Sequence, residues 1–169
     1  MMFHSKADVM ARAKQLLKEI EPPDDMFGPR YIYEIIGAAE EAAEKAAARW
    51  GADGWKGCMV YMLTDVHLSW GYVGQGQGNR PIQHLYAGLF QMTELPEKEK
   101  WKQCKALNKA IASTIADGQH LCYFEILSPL LSWEASAGES AIMELMGING
   151  DWLLNDRMNY HNWRLRTDG

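Results

Sequence analysis

The sequence predicts an α+β fold, in which a small three-stranded antiparallel sheet is flanked by helices and preceded by an N-terminal helical extension. Short apolar, β-prone runs occur at residues 58–65, 70–74 and 120–127, each bounded by polar or turn-forming residues. Longer stretches of helical character lie between and before these runs. The 169 residues are enough for one domain with one hydrophobic core.

The first part of the chain, residues 1–56, is expected to form a helical extension packed on the core. Residues 7–21 have helical character, and the two consecutive prolines that follow them end this helix. A second helix is expected from Tyr31 to Trp50, which is rich in Ala and Glu and is followed by glycine. We assign residues 57–157 to the core and residues 158–169 to a C-terminal tail.

The core begins with the runs CMVYMLTD and WGYVG, which predict a hairpin because a turn-like stretch joins them. The polar, glycine-rich sequence QGQGN then predicts a loop. Asn79 is a good N-cap and Pro81 suits a first helical turn, so a helix is expected over IQHLYAGLFQM. Another helix precedes the third run, and the segment SWEASAG leads into a last core helix, ESAIMELMG.

Composition limits the classes of function. The net charge of −5 opposes nucleic-acid binding by the surface as a whole, although it leaves room for a local basic cleft. The three cysteines are an odd number without CxxC spacing, which argues against zinc or a disulfide framework and favours a reducing cytoplasm. No long apolar run predicts a membrane span, and the N-terminal residues lack the apolar stretch of a secretory signal.

Candidate catalytic side chains lie on the predicted hairpin and on the helix that follows it. Tyr61 lies in the first strand and Tyr72 in the second, and both can face one side of the hairpin. Arg80 and His84 stand four residues apart, which places them on one face of the helix. The intervening glycines, which let another backbone come close, are Gly74, Gly76 and Gly78.

These residues resemble the signature of the GIY-YIG nuclease family. Met59-Val60-Tyr61 is similar to the first signature strand, and Tyr72-Val73-Gly74 is similar to the second. Arg80 matches the family's catalytic arginine, and His84 matches the helix partner of that arginine, which is often His or Tyr. The family's core order of two strands, two helices, a strand and a helix is the order predicted here.

Two further family positions lie downstream. Glu139, in GESAIMELMG, matches the metal-binding glutamate near the start of the last core helix. Asn155, in WLLND, matches the family's late asparagine. The resemblance covers roughly the last two-thirds of the chain and implies a cofactor, Mg²⁺ or Mn²⁺, because one carboxylate can hold such an ion when water and phosphate complete its shell.

The resemblance also implies a role for each residue in cutting a phosphodiester. Arg80 would meet the charge on the non-bridging oxygens with paired hydrogen bonds, and Glu139 would hold the metal. Tyr61 would deprotonate the water, provided that Arg80 and the metal lower its pKa from about 10. His84, with a pKa near neutrality, would relay that proton, and Tyr72 would position the water or a phosphate oxygen.

The match departs from the family pattern in several places. Met59 stands where the first signature has glycine, and valine replaces isoleucine at both signature positions. A similar triplet at residues 31–33 is rejected, because no Tyr-Val-Gly or arginine follows it at the right distance. For the metal-binding role, Glu134 is a rival of Glu139, and Glu125 is a weaker rival because it lies in a strand run.

The function implied is endonucleolytic hydrolysis of DNA, with double-stranded DNA as the partner and a possible homodimer to make two cuts in a duplex. The expected nucleic-acid contacts are Gly74, Gly76, Gly78, Asn79, Arg157, Arg164 and Arg166. A tail that only packs over the core is an equal alternative for the arginines. The acidic balance of the chain favours a second function class, a catalytically silent module that binds nucleic acid or protein, for example an inhibitor.

Overall fold

The computed structural model describes residues 3–52, 54–96, 103–147 and 152–155. In chain order the elements are α1 (Lys6–Leu16), β1 (Leu17–Glu19), β2 (Met26–Phe27), β3 (Arg30–Tyr31), α2 (Ile32–Trp50), β4 (Cys58–Asp65), β5 (Gly71–Gln77), α3 (Arg80–Gln91), α4 (Lys105–Ala116), β6 (Leu121–Leu130) and α5 (Ser132–Met146). Within these ranges, no helix combines the length and the apolar character needed to cross a membrane.

A mixed four-stranded sheet organises the α+β core, in the order β1-β6-β4-β5. β4 pairs antiparallel with both β5 and β6, whereas β1 pairs parallel with β6. The prediction of a three-stranded antiparallel sheet is therefore wrong, because a fourth, parallel strand completes it. A separate two-stranded sheet joins β2 and β3.

That fourth strand comes from the N-terminal part of the chain. The first helix was expected to reach residue 21, but it ends at Leu16, and Leu17 pairs with Leu121 on the free edge of β6. α1 also buries Val9 and Ala13 in the same apolar cluster as the inward residues of α3 and α4. The division of the chain at residues 56 and 57 stays a prediction, but the residues before it supply part of the central sheet.

Helices cover both faces of the sheet. Successive β4 side chains alternate between two apolar clusters, with Tyr61 packed toward α1, α3 and α4 and Val60 and Met62 packed toward α2 and α5. All residues of β4 are buried. A strand covered on both faces needs apolar residues at consecutive positions, which explains the continuous run CMVYMLTD.

The outer edge of β5 is covered by residues 152–155. The Gly71 amide donates to the Trp152 carbonyl (3.1 Å), and the Leu154 amide donates to the Gly71 carbonyl (2.8 Å). The Trp152 ring packs edge-on against Phe27, with 4.5 Å between the ring centroids. This segment satisfies backbone groups that an open sheet edge would expose.

Candidate active site

The pairing of β4 with β5 places both signature tyrosines on one face of the sheet. Tyr61 lies opposite Gly74, and Leu63 lies opposite Tyr72. Paired residues, and residues two apart along a strand, point to the same side, so the Tyr61 and Tyr72 rings both face α3. Tyr61 is fully buried and Tyr72 nearly so.

Two glycines of β5 shape the space beside these rings. Gly74 ends the predicted second strand and Gly76 was predicted in the loop after it, but β5 continues through Gln77, so both glycines are strand residues. A Cβ atom at Gly74 would overlap Cζ and Oη of Tyr61. Gly76 has a φ of +145°, and a Cβ atom there would lie 2.6 Å from Cγ of Arg80. Glycine at these positions therefore admits the phenol ring and the arginine side chain.

Helix α3 carries the next two groups of the site. Arg80 is its first residue, and His84 follows one turn later. Asn79 occupies the N-cap position as predicted, but its side chain makes no capping hydrogen bond. The His84 ring centroid lies 5.0 Å from that of Tyr72 and 6.1 Å from that of Tyr61. The imidazole thus sits against both phenol rings.

Arg80 presents a positive charge that no carboxylate of the described residues neutralises. Its side chain is exposed, and Nη1 donates to Oε1 of Gln83 at 3.1 Å. The ion pairs found in the described ranges involve other residues. The charge of Arg80 nevertheless lowers the pKa values of Tyr61 and Glu139, so both groups lie within its electrostatic range.

Glu139 is the acidic residue that α5 brings to this site. It was expected in the first turn of the last core helix, but α5 begins at Ser132, so Glu139 lies about two turns in. The rival Glu134 is the first-turn acid, and its Oε1 accepts a hydrogen bond from the Leu131 amide at 2.8 Å. Glu125 is exposed on β6. Only Glu139 of these three acts electrostatically on Tyr61.

Burial dominates the protonation of the site. It raises the pKa of Tyr61 well above 10, and the nearby Arg80 charge opposes this rise without overcoming it. Burial likewise raises the pKa of Glu139 to about 8 and lowers the pKa of His84 to about 4. The roles predicted for Tyr61 and His84 in proton transfer involve a bound metal and phosphate, and they stay predictions. Desolvation favours the neutral form of all three groups.

The Tyr61 hydroxyl is buried and makes no hydrogen bond of regular geometry within the described parts of the chain, although the Arg80 side chain comes close enough to interact with it. A buried polar group without a partner costs about 1–3 kcal/mol, so proteins rarely keep one without a reason. The hydroxyl lies within the electrostatic influence of Tyr72, Arg80 and Glu139. The hydroxyl is therefore a polar group at the centre of the site whose hydrogen-bonding capacity is not met by regular hydrogen bonds from the described residues.

Asn155 is held by the backbone of β5. Its Nδ2 donates to the Val73 carbonyl (2.7 Å), and its Oδ1 accepts from the Val73 amide (2.8 Å). Both ends of this buried amide are occupied, so Asn155 fixes the strand that carries Tyr72 and Gly74. The arginines predicted to contact nucleic acid from the tail, Arg157, Arg164 and Arg166, lie outside the described residues.

Gln103, just before α4, belongs to the site and was not foreseen. Its Oε1 lies 2.9 Å from Nδ1 of His84. Glutamine takes no direct part in proton transfer, and the two residues are 19 positions apart, so neither residue type nor local spacing signals this contact. The approach of α4 to α3 creates it.

The donor set fits a divalent cation bound through one carboxylate. Among the described residues, no three His, Cys, Asp or Glu side chains converge as a metal-binding cluster. Glu139, however, has a raised pKa because burial leaves its charged form uncompensated, and Arg80 only partly offsets this effect. A bound cation would supply the missing compensation, with water and phosphate oxygens completing a magnesium shell.

Comparison with curated proteins and with solved structures gave no match. Comparison with family models gave a match to the LEM-3-like GIY-YIG domain over residues 63–162. That range contains Tyr72, Arg80, His84 and Glu139, whereas Tyr61 lies two residues before it. The match spans more than half of the chain and agrees with the resemblance carried by the two signature strands. The chain therefore belongs to the LEM-3-like GIY-YIG domain family, whose fold supports nuclease activity.

Proposed function

We propose that the chain is an endonuclease that hydrolyses phosphodiester bonds in double-stranded DNA and depends on a divalent cation, Mg²⁺ or Mn²⁺. One observation carries this proposal. The Tyr61 hydroxyl is buried without a hydrogen bond of regular geometry in the described structure, and the charges of Arg80 and Glu139 both act on it. A phosphodiester and its attacking water would supply the missing partners.

Arg80 would bind the scissile phosphate. Its guanidinium has donors to spare, because the hydrogen bond to Gln83 uses only one of its N–H groups. A planar guanidinium can donate two parallel hydrogen bonds to non-bridging phosphate oxygens, and these bonds strengthen as negative charge builds up during the attack. Its place at the N-terminus of α3 adds the positive end of the helix dipole.

Glu139 would hold the cation. Once bound, the ion would balance negative charge on the phosphate and on the leaving oxygen. Glu139 is preferred over Glu134, because the Glu134 carboxylate already accepts the Leu131 amide, whereas Glu139 interacts electrostatically with Tyr61 and Arg80.

Tyr61 and His84 would hold the attacking water. Burial raises the pKa of Tyr61, so its neutral hydroxyl would orient the water or a phosphate oxygen by hydrogen bonding. His84 is neutral near pH 7, so one ring nitrogen has a free lone pair that can accept the water's proton. The negative charge of bound DNA would raise the pKa of His84 and make this transfer easier.

The DNA would lie along the start of α3, and the protein would act in the cytoplasm. Asn79 and Gly78 are exposed at the start of α3, next to Arg80, and would contact the backbone of the same strand. The tail arginines, Arg157, Arg164 and Arg166, would extend that contact. Cutting both strands would need a homodimer or two successive binding events. The cysteines Cys58, Cys104 and Cys122 are free thiols, which suits a reducing cytoplasm.

A plasmid-cutting assay tests the proposal. The purified chain should convert supercoiled plasmid to nicked and linear forms in Mg²⁺ or Mn²⁺, lose this activity in excess chelator, and regain it when the ion returns. Cutting that persists undiminished in chelator would contradict the role of the cation. DNA binding without cutting under all these conditions would favour a catalytically silent binding module on the same fold.

A further inference from the structure

Gln103 contacts three groups that together fix the orientation of its side chain. Its Nε2 donates to the backbone carbonyl of His84 (3.1 Å) and to Oδ1 of Asn108 (2.8 Å), while its Oε1 faces Nδ1 of His84 (2.9 Å). The two ends of an amide are told apart by their partners. A backbone carbonyl can only accept, so the amide nitrogen must face it and the amide oxygen must face the imidazole.

This orientation determines which ring nitrogen of His84 carries the hydrogen. The Gln103 Oε1 atom can only accept a hydrogen bond, so Nδ1 of His84 must be the donor. A neutral imidazole has one N–H group, which leaves Nε2 with its lone pair. Within the described residues, Nε2 has no hydrogen-bond partner, and the ring carrying it packs against Tyr61 and Tyr72.

We propose that Gln103 is a positioning residue that holds His84 in its Nδ1–H tautomer, so that Nε2 receives the proton of the attacking water. This inference rests on the proposed phosphodiester hydrolysis. In that reaction the water oxygen forms a bond to phosphorus, and the bond from phosphorus to the leaving oxygen breaks. One water proton moves to Nε2 of His84, and the leaving oxygen takes a proton from solvent.

The surroundings of His84 give the tautomer a clear role. Among the residues that the structure describes, the phenol rings of Tyr61 and Tyr72 lie against the imidazole, and the guanidinium of Arg80 acts on it electrostatically. None of them is a carboxylate of the kind that commonly orients a catalytic histidine. The Gln103 amide occupies that place, and it orients the ring without adding a charge.

Nuclear magnetic resonance on the full chain tests the tautomer directly. Long-range correlations between ring protons and ring nitrogens distinguish Nδ1–H from Nε2–H, and the signals missing from His84→Gln identify His84. We expect the wild type to show the Nδ1–H form and Gln103→Leu to show a mixture with Nε2–H. The control is Gln119→Leu, because Gln119 also contacts a histidine, His67, through an exposed 3.1 Å bond away from the site.

Cleavage kinetics test what the tautomer does. Gln103→Leu should lower the single-turnover rate by roughly 10²–10⁴-fold, the contribution typical of acid–base catalysis, and leave DNA affinity unchanged. Gln103→Glu keeps an acceptor for Nδ1–H, so it should restore much of the rate and shift the acidic limb of the pH–rate profile. The acidic limb should move to higher pH, because the negative charge of a carboxylate stabilises the imidazolium and raises the pKa of His84.

The outcomes separate this inference from the function on which it rests. A wild-type chain that cuts no DNA in any divalent cation would overturn the proposed function and, with it, the catalytic role of the tautomer. If the wild type cuts, a Gln103→Leu variant with an unchanged His84 tautomer and an unchanged rate would overturn this inference alone. A slower Gln103→Leu variant whose tautomer is unchanged, and which Gln103→Glu does not rescue, would reduce Gln103 to a structural residue.

Discussion

Gly74 lies directly opposite Tyr61 across the ladder of β4 and β5, and the Tyr61 ring occupies the space that a side chain at position 74 would fill. The backbone of one signature strand therefore forms a wall of the pocket for the phenol of the other. This contact explains physically why a Tyr-Val-Gly triplet follows the first tyrosine strand, and it couples the position of the Tyr61 hydroxyl to a residue without a functional group.

This contact predicts that Gly74→Ala lowers both the stability and the cleavage activity of the protein. The added methyl group must push the Tyr61 ring out of its buried position, which should cost about 1–3 kcal/mol of folding free energy and a large part of the cleavage rate. Gly37→Ala is the matched control, because nothing lies within 4 Å of a Cβ atom there and Gly37 lies on α2 outside the candidate site. Thermal melts and single-turnover cleavage of both variants check this, and a Gly74→Ala protein equal to Gly37→Ala in both respects would refute the close contact.

Arg80→Lys should be far less active than its retained charge implies. Lysine loses the planar fork that can donate two hydrogen bonds to one phosphate, and one such stabilising donor is worth on the order of a hundredfold or more in rate. Arg12→Lys is a matched control, because Arg12 donates to Gln15 at 3.0 Å as Arg80 donates to Gln83 at 3.1 Å. Cleavage by Arg80→Lys at nearly the wild-type rate would show that Arg80 does not stabilise the transition state.

Much of the core could be predicted because local sequence and tertiary structure agree there. β4 matches the predicted run at residues 58–65, and α3 begins beside Asn79 and Pro81 as expected. Tyr61, Tyr72, Arg80 and His84 lie on these elements, so their convergence followed from strand pairing and helical spacing. The signals were strong because apolar runs, turn residues and helix starts pointed to the same elements.

The parts of the fold and site that were not predicted depend on tertiary contacts, which no local sequence pattern encodes. Leu17 continues a helical pattern but forms β1, because the free edge of β6 offers backbone partners that outweigh helix propensity. The segment SWEASAG contains serine and glycine, which disfavour helices, yet it is helical because α5 packs closely on α2 and β4. The protonation states depend on burial, which single residues in a sequence do not reveal.

The N-terminal residues should be inseparable from the stability of the domain. Val9 on α1 is fully buried, whereas Lys14 on the same helix is exposed. Val9→Asp should lower the free energy of unfolding by more than about 3 kcal/mol, because a charge is buried without a partner. Lys14→Asp should cost less than about 1 kcal/mol through the helix dipole. Urea denaturation of both variants checks this, and equal effects would mean that α1 is not part of the folded core.

The raised pKa of Glu139 predicts a stability that depends on pH. Its carboxyl group has a pKa of 4.5 in the unfolded reference and about 8 in the folded chain, so folding takes up a proton between these values. The contribution of the Glu139 carboxyl group to the free energy of unfolding is fully present below pH 4.5 and is lost as pH rises through 8. This loss is on the order of 3–5 kcal/mol. Without divalent cations, Glu139→Gln should therefore be the more stable protein at pH 9, by urea denaturation. If the free energies of unfolding of the wild type and Glu139→Gln changed in parallel from pH 5 to 9, this prediction would be contradicted.

The most direct test of the account measures cleavage, DNA binding and stability together for Glu139→Gln, with Glu134→Gln as the control. Loss of the cation's carboxylate should reduce single-turnover cleavage in Mg²⁺ by about a thousandfold or more, since metal catalysis supplies several kcal/mol. DNA affinity in chelator should be unchanged, because phosphate contacts come from basic side chains and amides and Glu139, whose pKa is raised to about 8, is largely neutral without the cation. Glu134→Gln should cut normally. A well-folded Glu139→Gln protein that still cuts DNA, or a Glu134→Gln control that does not, would contradict the assignment of the active site.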